Sequence, residues 1–190
     1  MLTALHRVIR NFSRDQRGIS ALEIAIAVPV ALSLTLNGVE LTRYVLLHQK
    51  SERATMTVAD LVSQGEVLTL NDLDNIFQAG ALITEPFNFQ SNGAMIVSSV
   101  VGLAAGPSVE WQRSYGQNPE LSAIGGQGGT ATLPAGFVVQ ESDSVIMAEI
   151  QYNYTPMFPG NPLLGGSIGG VVYNYAIFRP RYTVKVRLGS

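Results

Sequence analysis

No cysteine occurs in the 190 residues. That absence excludes a disulfide framework and any thiolate chemistry. Histidine is nearly absent too: His6 and His48 stand far apart, so no zinc site built on Cys and His is expected. Charge is scarce. Charged residues make up 14% of the chain and apolar residues 46%, where about a quarter of a soluble domain is usually charged. So low a charge count fits a protein with part of its surface in lipid or against partner subunits. The acids are scattered, with no nucleophile-and-base set, no metal-ligand spacing and no nucleotide motif. Neither an enzyme, a metal site nor a cofactor is expected.

What charge there is lies unevenly. The first 18 residues carry Arg7, Arg10, Arg14 and Arg17 against Asp15, a net +3. The remainder carries eight basic and 13 acidic side chains, a net −5. A basic head on an acidic body argues against nucleic-acid binding. It favours a topogenic role for the arginines, held on the cytoplasmic side of a membrane.

The segment that follows supplies the membrane element. Ile19 to Leu36 reads ISALEIAIAVPVALSLTL, 18 residues with Glu23 as the single charge. As a helix it spans about 27 Å at ~1.5 Å per residue, close to the ~30 Å of a bilayer core. A buried soluble helix would need a larger core than the rest of the chain offers. A cleaved secretory signal would need a small-x-small site after the run, where Asn37-Gly38-Val39-Glu40 stands instead. A membrane anchor remains. The flanking charges place residues 1–18 in the cytoplasm and residues from 40 onward outside.

The junction is specific. A basic leader ends in Arg17-Gly18, the apolar helix begins at Ile19, and Glu23 is the fifth residue counted from Ile19. A carboxylate in an apolar helix is expensive unless paired. Pro29 sits mid-run, lacks an N–H and predicts a kink, which membrane helices tolerate. The arrangement resembles the processing site of type IV prepilins. The fuller segment, with Arg17, Gly18, Ala21, Glu23, Val28, Pro29, Gly38 and Glu40, resembles the N-terminus of TadE-like and TadG-like minor pilins, or pseudopilins, of the tight-adherence (Flp) pilus. The resemblance extends to Trp111-Gln112-Arg113 and to Tyr152-x-Tyr154-Thr155-Pro156. It implies cleavage between Gly18 and Ile19 by a membrane prepilin peptidase. It implies that the new amine of Ile19 on one subunit meets Glu23 of its neighbour. It also implies partners, namely the other tight-adherence pilins and an inner-membrane assembly platform.

The exported body reads as α+β. Leu47, Ala54, Val58, Leu61 and Val62 recur at helical spacing, so one helix is expected from Ile19 to about Gln64, stopped by Gly65. The i,i+4 pair His48 and Glu52 reads as a solvated pair. Asn71 is the expected N-cap of a second helix ending before Pro86. Strands are expected over 94–103, 109–115, 145–154 and 171–178, the last leading into 179–188. In the second of these, Val109, Trp111, Arg113 and Tyr115 are expected on one side. The glycine-rich stretches 125–129 and 165–170 lack the strand-before and helix-after context of a phosphate cradle and read as loops. If 179–188 is a strand, Arg179, Arg181, Lys185 and Arg187 share one face opposite Tyr182, Val184, Val186 and Leu188. That basic face is a candidate contact for an acidic partner subunit or for anionic membrane lipid.

The sequence thus divides into a leader (1–18), a transmembrane helix (19–39) and an exported α+β domain with an antiparallel sheet of about four strands (40–190). The expected location is the bacterial inner membrane, with incorporation into an extracellular pilus. The competing readings are a pseudopilin of a type II secretion-like system, a membrane-anchored periplasmic binding domain that never polymerises, and an exported enzyme.

Overall fold

The computed structural model describes residues 18–117, 122–158 and 169–189. The basic leader up to Arg17, and Gly165 to Ile168 of the second glycine-rich stretch, lie outside the described residues.

Helix α1 (Ile19–Ser63) is one element of 45 residues, about 68 Å long at ~1.5 Å per residue. It ends at Gln64-Gly65, as the periodicity predicts, and runs on through Pro29. Its two halves have different surroundings. No residue from Ile19 to Val39 is buried, and the apolar ones are mostly more than half exposed. This half is long and apolar enough to cross a membrane. From Glu40 onward one stripe sinks into the protein: Glu40, Leu47, Ser51, Ala54, Thr55, Val58, Ala59 and Val62. The three- and four-residue steps are those of a helix with one covered face.

After α1 come β1 (Val67–Leu68), α2 (Leu70–Ile83), the single turn α3 (Phe89–Asn92), β2 (Gly93–Leu103), β3 (Gly106–Gly116), β4 (Ser144–Tyr154), β5 (Gly170–Phe178) and β6 (Arg187–Leu188). The fold is α+β. Strands β2 to β5 form one antiparallel sheet in the order β3-β2-β4-β5, and β1 pairs with β6 in parallel. Alternation along the strands divides the core in two. Met95, Val97, Ile146, Ala148, Ile150 and Tyr152 face α1 and α2, where they meet Leu47, Val58, Leu73 and Phe77. The opposite face carries Val100, Val145 and Met147, covered by Ile124, Ala131 and Val139 from the long β3–β4 connection. That connection crosses β2 closely: a Cβ on Gly102 would lie 2.0 Å from the carbonyl oxygen of Gln140.

Three local features differ from the sequence expectation. The N-cap of α2 is Thr69, not Asn71. The Thr69 hydroxyl accepts the Asp72 N–H at 3.2 Å, and the Asp72 carboxylate accepts the Thr69 N–H at 2.9 Å. This reciprocal capping box satisfies two otherwise orphaned donors, where Asn71 would satisfy one. The Thr69 N–H, and then its hydroxyl, hold the Asp72 carboxyl below its ordinary value. Strand β3 carries a bulge: Trp111 pairs with Ser99 but Val109 pairs with Val100, leaving Glu110 as the extra residue. Parity flips there, so Val109 joins the outer cluster while Trp111 faces the helices. Lastly, 179–188 is not a continuous strand. Only Arg187–Leu188 pairs, with β1. The segment follows side-chain anchors instead: Trp111 Nε1–H donates to the Val186 carbonyl at 2.9 Å, and the Ser144 hydroxyl donates to that of Val184 at 2.6 Å.

The helix-side cluster is the mechanical core. Phe77→Ala should cost about 3–5 kcal/mol, whereas Leu82→Ala, on the exposed side of the same helix, should stay within ~0.5 kcal/mol. Thermal unfolding of the two variants in detergent checks the contrast.

Candidate functional site

The sequence places its candidate residues in two groups, at the start of α1 and at the end of the chain. Gly18 is the N-cap of α1 and Ile19 its first helical residue, so the helix boundary coincides with the expected processing junction. Gly18 has an ordinary negative φ of −90°, and a Cβ there would meet nothing within 4 Å. Neither backbone geometry nor packing among the described residues demands glycine. Glu23 lies one turn beyond Ile19, exposed between Leu22 and Ile24. It takes part in none of the ion pairs among the described residues. Pro29 removes one helical N–H and leaves the Ala25 carbonyl without its i+4 donor. Polar side chains toward the domain end of this half donate back to the helix, while the Asn37 carbonyl oxygen stays without a partner. Thr35, Asn37 and Thr42 each donate to the carbonyl four residues back, at 2.8, 2.6 and 2.8 Å. In lipid such back-bonding is the available way to satisfy them.

The C-terminal basic residues do not form one face. Arg179 pairs with Asp143 at 3.1 Å, Arg181 with Asp60, and Lys185 with Glu110. These are partly exposed pairs, individually worth little, and they spread the chain end over β4, α1 and β3. Arg187 is exposed, and its backbone N–H donates to the Glu66 carbonyl at 3.0 Å. Asp60 lies 20 residues beyond Glu40 on the same helix, about 30 Å away at ~1.5 Å per residue. Arg181 and its partner therefore sit at the end of the domain remote from the apolar half of α1.

The structure brings forward a residue whose sequence signal was only membership of a motif. Glu40 is fully buried at the point where α1 leaves its exposed half. One carboxylate oxygen accepts the Tyr154 hydroxyl, and the other accepts the N–H groups of Met157 and Phe158 at 3.0 and 3.2 Å. Tyr154 stacks edge-on against Tyr44, their centroids 5.4 Å apart. The end of β4 and the turn after it are thus fastened to α1 by one acid. Burial first, and then the bond to Glu40, push the Tyr154 hydroxyl up to about 12.

A second buried acid, Glu149, stands on the other face of the sheet. It accepts the Ser122 hydroxyl, the Ala123 N–H at 3.0 Å and the Tyr173 hydroxyl at 2.7 Å. Burial, then this bond, raise Tyr173 above its ordinary value. The carboxylate has its acceptors occupied by a loop and a neighbouring strand, the arrangement of a clamp. Among the described residues no three His, Cys, Asp or Glu side chains converge as metal ligands. His48 Nε2 lies 3.3 Å from the Tyr44 hydroxyl rather than near Glu52. No family model, no curated protein and no solved structure matches the chain.

Replacing Glu40 with Ala leaves the buried Tyr154 hydroxyl and two part-buried N–H groups without their acceptor and should cost ~1–3 kcal/mol, with Glu40→Gln intermediate; chemical denaturation measures it. The Tyr154 shift has its own sign. An unfolded tyrosine titrates near 10, so the folded state favours the neutral hydroxyl. That stabilisation is complete below pH ~10 and is lost as pH rises toward the folded value. Tyr154→Phe should flatten this part of the alkaline stability profile.

Proposed function

We propose that this chain is a minor pilin, or pseudopilin, of a tight-adherence (Flp) type pilus. In this reading it is held in the bacterial inner membrane by the apolar half of α1, with its α+β domain on the periplasmic side. The single observation that carries the reading is the junction at Gly18. A helix starts there, directly after a glycine with no local structural need, and it presents one carboxylate, Glu23, one turn later on a bare apolar surface.

The chemistry is a balance of charge. Cleavage after Gly18 by a prepilin peptidase leaves an ammonium on Ile19. An unpaired carboxylate costs about 2.5–3.5 kcal/mol at the centre of a membrane helix on insertion scales, and less one turn from its end, where Glu23 stands. Pairing Glu23 with the Ile19 ammonium of an adjacent subunit removes that cost and fixes the axial register. The exposed apolar side chains then pass from lipid to neighbouring helices as subunits enter the fibre. Gly38 adds support. A mid-helix glycine costs about 1 kcal/mol relative to alanine, and a Cβ there would meet nothing within 4 Å. Close approach of another helix gives it a purpose.

The same junction serves a type II secretion-like pseudopilin. A domain that is anchored but never polymerises needs neither the cleavage nor Glu23. N-terminal sequencing of the protein isolated from membranes separates the two kinds of reading. The pilin reading predicts a chain beginning at Ile19, and an intact Met1 contradicts it. Glu23→Ala should leave the protein in the membrane at normal abundance but reduce its co-isolation with fibres at least about tenfold, the equivalent of ~1.4 kcal/mol; normal co-isolation contradicts the pairing.

A further inference from the structure

Some basic side chains of the exported body pair with a carboxylate among the described residues, and others, Arg43 among them, do not. Arg179, Arg181 and Lys185 each meet a carboxylate. Arg43 meets none within ion-pair distance among the described residues. Its guanidinium carbon lies 5.9 Å from the centroid of the Phe87 ring, and Nη1 donates to Met157 Sδ at 3.7 Å, a weak acceptor. Its Nε–H is buried with no partner. The nearby Glu40 has its oxygens occupied by Tyr154, Met157 and Phe158.

Arg43 borders a cavity of about 210 Å³ that Asn88, Asn92, Tyr152 and Asn153 also line. Among the described residues Arg43 is the only charged one of the lining, and three side-chain amides share it. A planar cation with a buried, unpartnered Nε–H, flanked by amides in a cavity whose described lining carries no carboxylate, is the chemistry of a phosphate site.

Position identifies the source of the phosphate. Arg43 lies four residues beyond Val39, about 6 Å along the helix at ~1.5 Å per residue. The headgroup layer occupies roughly the first 5–8 Å outside a bilayer core. Leu41, Val45, Leu46 and Met157 are exposed at this level of the helix and of the turn after β4, as suits a surface against the headgroup layer. The geometry points to a site for the phosphate of an anionic phospholipid headgroup, held by Arg43 with the amides of Asn88, Asn92 and Asn153, at the membrane-facing end of the domain. The inference rests on α1 lying in the membrane and does not require cleavage or polymerisation.

The test uses the full-length chain purified in neutral detergent. Native mass spectrometry measures retention of added phosphatidylglycerol against phosphatidylcholine, and a parallel melt measures protection by inorganic phosphate. The wild type should retain phosphatidylglycerol preferentially. Arg43→Gln should weaken that retention at least about tenfold, as expected for a lost charge-assisted bond. Arg43→Lys should restore part of it, and Arg53→Gln, on the exposed side of the same helix, should leave it intact. If Arg43→Gln fails to fold, Asn88→Asp, which places a negative charge at the exposed mouth, should abolish retention in a folded protein. Equal retention of both lipids by the wild type, or wild-type retention by folded Arg43→Gln or Asn88→Asp, overturns the site. Protection by millimolar inorganic phosphate equal to that by phosphatidylglycerol overturns the lipid assignment. All these readouts use unprocessed protein, so a failure here is distinct from a failure of the pilin reading.

Discussion

One carboxylate joins the two environments of this protein. Helix α1 is a single rod, yet half of it presents bare apolar side chains and half forms a wall of a folded core. The change falls at Glu40, whose oxygens hold the end of β4 and the turn beyond it. A carboxylate taken out of water is expensive unless its oxygens find donors; here a hydroxyl and two backbone amides bond them. Because an α-helix bends little over a few turns, fastening the domain at this level fixes how it stands over whatever holds the first half. The rest of the helix-side core, from Leu47 to Val62, continues the same attachment.

The sheet is held from both sides by the same device. Glu40 fixes a turn against the helix, and Glu149, on the opposite face, fixes the connection after β3 against β4 and β5. Two buried acids thus hold two irregular segments of the chain. At the far end of the domain, the three ion pairs of the C-terminal segment and its backbone bond to Ser63 tie the chain end to α1, β3 and β4. Polar contacts here position loops, while apolar burial along the strands supplies the bulk of the stabilisation.

Much of this architecture is legible in the sequence, because it follows from periodicity. Three- and four-residue steps give α1 to within a residue, two-residue alternation marks β3 and β4, and short apolar runs mark β2 and β5. Local competition hides the rest. Asn71 is a good capping residue, but the Thr69-x-x-Asp72 spacing offers two bonds instead of one. The bulge at Glu110 has no compositional mark, and it alone sends Val109 and Trp111 to opposite faces. The alternation of 179–188 imitates a strand, although its basic residues are drawn to Asp143, Asp60 and Glu110 on three separate elements. The Glu40 partners lie more than a hundred residues away in the chain, so no local pattern announces them. Gly18, Ile19, Glu23 and Pro29 stand where the sequence places them. Their proposed chemistry concerns a neighbouring subunit, which a single chain does not contain.

In the proposed arrangement α1 is a continuous helix, embedded in lipid up to Glu40 and standing in the periplasm beyond it. The natural absence of cysteine makes this directly measurable with Leu34→Cys and Met56→Cys, two positions with similarly open surfaces, 61% and 47% exposed. The probe is a membrane-impermeant maleimide applied to cells with a permeabilised outer membrane. The account predicts that the label reaches position 56 and not position 34. Labelling at 34, or labelling at 56 only after the inner membrane is breached, would contradict it.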